Sequence, residues 1–265
     1  MVYDEYTRQI MLILLTNDDG IHAPGIVAMY RELTRLGDVH VIAPETVQSA
    51  TGHGITIATP MLTNRVTVQD GAFTGIAVDG RPADCVKLAV SKLMPRPPDL
   101  VVSGLNAGAN VGINVIYSGT VAAAIEAAFL GLPSVATSLL MQRDVPTDFN
   151  RGAMLAREAI ETILEQGLGP GHVASVNVPA LRSDQPPAGM KLCRQCTRPY
   201  VDAYEERVSP RGQKYFWNSS VFTLGASDQE TDVAYLRDGY VTITPLQFDL
   251  TDQPTLARWS DRAKW

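Results

Sequence analysis

From residue 11 to residue 178 the chain alternates short apolar runs with longer amphipathic stretches. Residues 11–16, Met-Leu-Ile-Leu-Leu-Thr, are apolar almost without a break, the pattern of a strand covered on both faces. A helical pattern over 25–36 begins near Pro24, and a second strand over 38–43 ends in Pro44. Helices are predicted over 82–94, 118–130 and 148–166, and strands over 99–103, 133–138 and 173–178. This rhythm predicts an α/β fold, a parallel sheet covered by helices on both sides.

Two stretches break the rhythm. Between Gly54 and Asp79, the segments Ile55-Thr56-Ile57, Val66-Thr67-Val68 and Ile76-Ala77-Val78 read as short strands of a hairpin excursion. After about Ser183, prolines and glycines punctuate extended segments rich in Tyr, Phe and Trp, which predicts an arm and not more βα units. The strand pattern returns at Tyr240-Val241-Thr242-Ile243-Thr244, and a short helix is expected near Trp265. The expected organisation is a loose extension over 1–10, a catalytic core over 11–182, and an extended arm over 183–265 that returns to the core. Met11 is a candidate natural start. Aromatic arms pack well on other subunits, so an oligomer is expected, with Tyr200, Tyr204, Tyr215, Phe216 and Trp217 as candidates for subunit contact or base stacking.

Composition narrows the function. The formal charge of -6 argues against polymeric nucleic acid as a partner while allowing a single nucleotide. No apolar run reaches the roughly 20 residues that span a bilayer, and residues 1–10 carry no run of signal-peptide length, so a cytoplasmic protein is expected. The three cysteines do not make a disulfide framework; Cys193-Arg194-Gln195-Cys196 has CxxC spacing but no second pair to complete a zinc site.

Four segments follow predicted strands or open a predicted helix and can converge on one crevice at the carboxyl ends of the sheet. The first is Asn17-Asp18-Asp19-Gly20. The second, Gln48-Ser49-Ala50-Thr51-Gly52-His53-Gly54, follows the second strand. The third runs from Ser103 to Asn110, and the fourth is Tyr117-Ser118-Gly119-Thr120. Each has a plain reading: Asn-Asp-Asp-Gly is good turn chemistry, Ser118 a good helix cap, and Ser103-Gly104-Leu105-Asn106-Ala107-Gly108 a glycine-permitted loop. Together they suggest more. Asp18 and Asp19 supply hard anionic oxygens, and Ser49 and Asn106 add neutral ones, a set suited to Mg²⁺, Mn²⁺ or Ca²⁺. Ser118-Gly119-Thr120 offers hydroxyls and amides to an anion at a helix N-terminus. A cation beside an anion site describes a phosphoryl-transfer centre. His22 and His53, in glycine-bearing loops near it, can shuttle protons or cap turns; His40 and His172 read as structural.

These residues also resemble a known family. Leu14-Leu15-Thr16-Asn17-Asp18-Asp19-Gly20-Ile21-His22-Ala23-Pro24-Gly25-Ile26 is similar to the opening signature of the SurE (survival protein E) nucleotidases. The resemblance continues through Gln48-Ser49, Gly52-His53-Gly54-Ile55-Thr56, Asp84-Cys85-Val86, Ser103-Gly104-Leu105-Asn106-Ala107-Gly108-Ala109-Asn110, Tyr117-Ser118-Gly119-Thr120-Val121 and Gly239-Tyr240-Val241-Thr242-Ile243-Thr244. It implies a Rossmann-like core with an extended C-terminal arm exchanged between subunits, in a homodimer or homotetramer. It implies a metal-dependent phosphatase acting on nucleoside 5′- and 3′-monophosphates, and leaves cleavage of short polyphosphate open. Family metal ligands fall on Asp18, Asp19, Ser49 and Asn106, and phosphate contacts on Asn110, Ser118, Gly119 and Thr120. Arg81 stands where Thr is usual, and Ala127 where Gly is usual.

The reaction expected is attack by water, with Asp18 or Asp19 taking its proton while holding the metal. A covalent aspartyl-phosphate is the rival route, against which the absence of a DxD pattern counts. A non-catalytic nucleotide or cation sensor on the same fold is the alternative function. A dinucleotide-dependent oxidoreductase fails on the missing glycine fingerprint after the first strand.

Overall fold

Strand β1 (Met11–Thr16) runs through the middle of a nine-stranded sheet, and its alternate side chains feed two separate cores. The computed structural model describes residues 10–182, 185–199, 203–218, 224 and 227–261. Ile13 and Leu15 pack with helices α1 (Pro24–Leu33) and α4 (Phe149–Glu165), through residues such as Ile26, Met29, Ala156 and Ile160. Leu14 points the other way, into a core with Cys85 and Val86 of α2 (Pro82–Leu88) and Ala123 and Ala127 of α3 (Gly119–Phe129). A strand with both faces buried has no polar face to show, which is why residues 11–15 are apolar throughout.

The remaining strands are β2 (Gly37–Pro44), β3 (Thr63–Val68), β4 (Phe73–Val78), β5 (Leu100–Ala107), β6 (Ser134–Leu139), β7 (Val173–Val178), β8 (Met190–Leu192) and β11 (Val241–Leu246). Their spatial order is β3-β4-β2-β1-β5-β6-β7-β11-β8. The run from β4 to β7 is parallel, while β3 and β11 each pair antiparallel with their inner neighbour. The chain leaves β1 for β2 on one side and later returns to β5 on the other, so the switch point of this doubly wound sheet lies between β1 and β5. The Rossmann-like α/β core is present.

Several boundaries differ from the sequence reading, each for a local reason. Ile55-Thr56-Ile57 is not a strand: the Thr56 backbone N–H and hydroxyl both donate to the Asp84 carboxylate and leave nothing for a ladder. The helix expected over 25–36 stops at Leu33, where the Thr34 hydroxyl turns back to the Arg31 carbonyl at 2.8 Å. The helix expected over 82–94 is α2 followed by a π turn, Ala89–Leu93. Strand β5 runs past Ser103 to Ala107 through a register shift at Gly104, so half of the expected loop is sheet. Gly104 has φ +139°, and a Cβ there would stand 2.2 Å from the Thr137 hydroxyl, so only glycine allows the strand to continue beside β6.

Beyond β7 the chain adds β8 and β11 to the sheet edge. It also forms a separate antiparallel hairpin of β9 (Tyr204–Val208) and β10 (Lys214–Asn218), with every hairpin strand residue exposed. A short helix α5 (Asp232–Arg237), capped by the Thr231 hydroxyl, went unforeseen. The last described helix, α6 (Gln253–Ser260), begins at an Asp252 cap. Residues 1–9 of the expected extension and Tyr200 lie outside the described residues. Among the described residues, no helix is long and apolar enough to cross a membrane.

Candidate active site

The turn after β1 is built locally. The Asn17 side-chain amide donates to the Gly20 carbonyl at 2.9 Å, Gly20 takes φ +92°, and the Ile21 N–H reaches the Pro44 carbonyl at 2.9 Å. This turn holds Asp18 and Asp19 at the carboxyl end of β1, beside the switch point. Pro24 then opens α1, whose Gly25 sits so close to the end of β5 that a Cβ would fall 1.9 Å from the Leu105 carbonyl oxygen.

Asp18 is the most constrained member of the site. Its side chain is buried, accepts a short hydrogen bond from the Thr120 hydroxyl, and lies against Gly119, where an added Cβ would stand 2.9 Å from the Asp18 Cβ. Burial pushes its carboxyl up to about 6; the Thr120 hydroxyl opposes that, and the neighbouring Asp19 charge adds to it. Asp19 is less buried and also raised by desolvation, against a 2.8 Å hydrogen bond from the Ala107 N–H. No basic group contributes to either.

The other expected ligands come from neighbouring strand ends. Asn106 precedes Ala107 on β5, is buried, and spends its side-chain N–H₂ on the Gly108 carbonyl at 2.7 Å. In the amide orientation that this bond fixes, its Oδ1 remains as an acceptor. Ser49 is exposed in the loop after β2, which is tied to the site by the Gln48 N–H donating to the Asp18 carbonyl at 2.7 Å. Its hydroxyl makes no hydrogen bond among the described residues. Ser118 caps α3 by accepting from the Val121 N–H at 3.1 Å, which leaves its own O–H and the first-turn Gly119 N–H available to an anion. Thr120 differs from expectation, since its hydroxyl is committed to Asp18. Asn110 is set deeper: its side chain donates to Ser138 at 2.9 Å and its backbone N–H to Asn177 at 2.8 Å, with no hydrogen bond to the rest of the set among the described residues.

The chemistry of this donor set fits a hard cation. Two adjacent carboxylates, one of them buried without a counter-charge, are stabilised by a positive ion between them, and their partners are neutral oxygens. Among the described residues no group of three or more His, Cys, Asp or Glu gathers as a metal cage. Cys193 and Cys196 are buried free thiols; Cys193 lies 3.5 Å from the Thr244 hydroxyl, and Cys196 packs with Val233 and Leu236.

The Survival protein SurE family model matches residues 13–202. The chain belongs to the SurE family. A protein named 5′-nucleotidase SurE from Syntrophobacter fumaroxidans is 46% identical over 253 residues, covering 94% of this chain and 100% of that one. Its namesake from Rhodopirellula baltica is 44% identical over 252 residues, covering 95% and 98%. A crystal structure of the SurE protein from Aquifex aeolicus superposes with a TM-score of 0.80 at 34% identity, covering 95% of this chain and 99% of that one. The SurE resemblance read from the motifs is thereby shown.

Of the two departures from the SurE pattern, Ala127 is buried in α3 and Arg81 is exposed, its guanidinium lying where a Cβ of Gly54 would be. His22 is exposed in the turn before α1, whereas His53 is fixed by Glu126 at 2.8 Å. His172 accepts from the Gly169 N–H within its own turn, and His40 lies 3.4 Å from Asp38. The sequence reading gave no role to Glu126, Lys87, Phe129 or Phe248, which cluster around His53. A Glu inside an alanine-rich helical face was the one visible signal.

Proposed function

We propose that this protein is a metal-dependent phosphomonoesterase that hydrolyses nucleoside 5′- and 3′-monophosphates to nucleoside and phosphate. The observation that carries the reading is Asp18, a buried carboxylate with Asp19 beside it and no basic partner, set against the N-terminus of α3. The names of the SurE relatives support 5′-nucleotidase activity.

Asp18, Asp19, Ser49 and Asn106 would hold one divalent cation per subunit, Mg²⁺ or Mn²⁺ with Ca²⁺ as another occupant. When bound, the ion supplies Lewis acidity toward the attacking water and the phosphoryl oxygens. The protein's own groups do the rest. The Ser118 hydroxyl and the Gly119 amide orient the phosphoryl group and meet the charge that spreads over its oxygens in a loose transition state. Thr120 holds the Asp18 carboxylate in one orientation. Asp19, whose other contact is a backbone N–H, takes the proton of the attacking water.

Phosphate release from a panel of nucleoside 5′- and 3′-monophosphates, with Mg²⁺ or Mn²⁺ and with chelator, tests the reading. Release that needs metal supports it. A folded sample inactive with every metal would leave a sensor, and a phospho-enzyme trapped on Asp18 or Asp19 would replace water attack by the covalent route. The exposed aromatic hairpin, with Tyr204, Phe216 and Trp217 in solvent, supports assembly into a homodimer or homotetramer, which light scattering checks.

A further inference from the structure

A cavity of about 350 Å³ opens beside α3, and Ser118 forms part of its wall. That volume is in the range of small-molecule sites. Ser118 and Ile125 both line it, seven residues apart on one helix and so about 10 Å apart along its axis. One end is therefore at the anion-binding turn. The far end is aromatic: the His53 ring stacks on Phe129 with centroids 5.2 Å apart and planes 8° from parallel, and Phe248 meets Phe129 edge-on at 4.7 Å. Gln195 and Gln247 bring side-chain amides to the same lining, and the Gln195 amide N–H₂ is anchored on the Gly112 carbonyl at 2.7 Å.

The His53 ring is not free to turn. Its Nε2 is paired with Glu126 Oε2 at 2.8 Å, and the other Glu126 oxygen accepts from Lys87 at 3.1 Å. The loop carrying it is tied to the turn before α3 by the Gly52 N–H donating to the Tyr117 carbonyl at 3.0 Å. A ring locked in this way, stacked on a second aromatic, presents a prepared flat surface about a helix-and-a-half turn or more from the phosphate turn. Its Nε2 is committed to Glu126, which leaves the ring face to a ligand. The separation suits a group joined to the phosphate through a sugar.

We propose that this cavity is the subsite for the nucleobase, with His53, Phe129 and Phe248 as its stacking wall, Gln195 and Gln247 as its polar readers, and Glu126 as the residue that positions His53. The inference rests on the phosphomonoesterase reading above and extends it from phosphate to base. Every base has a flat π-face, so stacking supplies affinity for all of them, and an amide, with both a donor and an acceptor, reads the edge. Of the aromatic residues singled out from sequence, Tyr204, Tyr215, Phe216 and Trp217 lie on the hairpin of this chain and are not part of the cavity lining.

The test compares kcat/KM for a purine nucleoside 5′-monophosphate with that for glycerol 1-phosphate, which has the ester but no base. The metal-loaded wild type is expected to prefer the nucleotide. Phe248→Ala should cut that preference about ten-fold or more, through KM and not kcat. Because Phe248 also packs on Phe129, His53→Gln provides a second, polar variant, and Glu126→Gln should lose preference only partly, having kept the shape of the side chain. A preference unmoved in folded Phe248→Ala and His53→Gln overturns the subsite while the phosphatase stands, as does a wild type that shows no preference. Failure of the wild type to hydrolyse either ester overturns the phosphatase reading itself.

Discussion

Asp18 and Glu126 are equally buried, each 4% exposed, and each touches or belongs to the same helix α3, yet their charges are treated in opposite ways. Burial pushes both upward. At Glu126 the hydrogen bonds and charges of His53 and Lys87 outweigh it and hold the carboxyl below its ordinary range. At Asp18 burial and the like charge of Asp19 outweigh the Thr120 hydroxyl and the backbone N–H groups that oppose them, and the carboxyl rises to about 6. The fold has settled the charge of Glu126 from within. At Asp18 it has built a carboxylate pair with no basic partner, the feature on which the proposed cation site rests. On the proposed function, that contrast separates a carboxylate that holds another residue in place from one prepared to bind a ligand.

The comparison breaks most visibly in activity. Asp18→Asn keeps the shape but removes the charge, and phosphate release in Mg²⁺ or Mn²⁺ should fall by about three orders of magnitude. Glu126→Gln should retain most of kcat on the same assay; an equal loss in both variants would mean the two carboxylates share one role. Next in size, Gly119→Ala forces a methyl to within 3.0 Å of Asp18 Oδ2, and kcat should drop about a hundred-fold while the protein stays folded by circular dichroism.

Stability sharpens the same contrast with opposite signs. Without metal, Asp18→Asn should stabilise the protein, because it removes an uncompensated buried charge, whereas Glu126→Gln should destabilise it by about 1–3 kcal/mol in urea unfolding. Metal at a hundred times its Kd should stabilise the wild type by about 2.7 kcal/mol and leave Asp18→Asn nearly unmoved.

The smallest effect is in pH. Asp18 is raised in the folded state, so its penalty in metal-free protein is fully present above pH about 6 and is relieved as the pH falls from there toward the ordinary value of 3.8. Glu126 is lowered, so its contribution is present above its unfolded value and is lost only as the pH falls through its folded one, below the ordinary 4.5. Unfolding free energies of wild type and Asp18→Asn should therefore converge between pH 7 and 5, while the gap between wild type and Glu126→Gln persists over that range. Convergence of both gaps together would remove the distinction.

The first strand was legible because nothing polar interrupts residues 11–15. The acidic turn and the Ser118 cap were legible because each is a local arrangement whose residue types state their geometry. Ile55-Thr56-Ile57 misled because β-branched residues state a preference for extended backbone but not which partner takes their hydrogen bonds; Asp84 took them. The bulge at Gly104 was hidden because the demand for glycine comes from Thr137 on the next strand. Helix α5 was hidden because its six residues are too few to show a period.

The sequence by itself determined the layered α/β core, the order in which its chemistry-bearing turns appear, and the identity of the acidic pair, since these depend on residues close together along the chain. It also carried the motifs by which the chain belongs to the SurE family. Only the tertiary structure decided that the Thr120 hydroxyl serves Asp18, that Asn110 is spent on Ser138, and that His53, Glu126 and Lys87 form one chain of contacts beside Phe129 and Phe248. Each of those pairings joins residues 28 to 119 positions apart, all but Lys87 with Glu126 and Asn110 with Ser138 by more than seventy, and is set by which strands and helices the sheet order brings together. Hydrogen-bond and aromatic partners at that separation leave no periodicity to read, because the packing of the sheet, and not the local chain, chooses them.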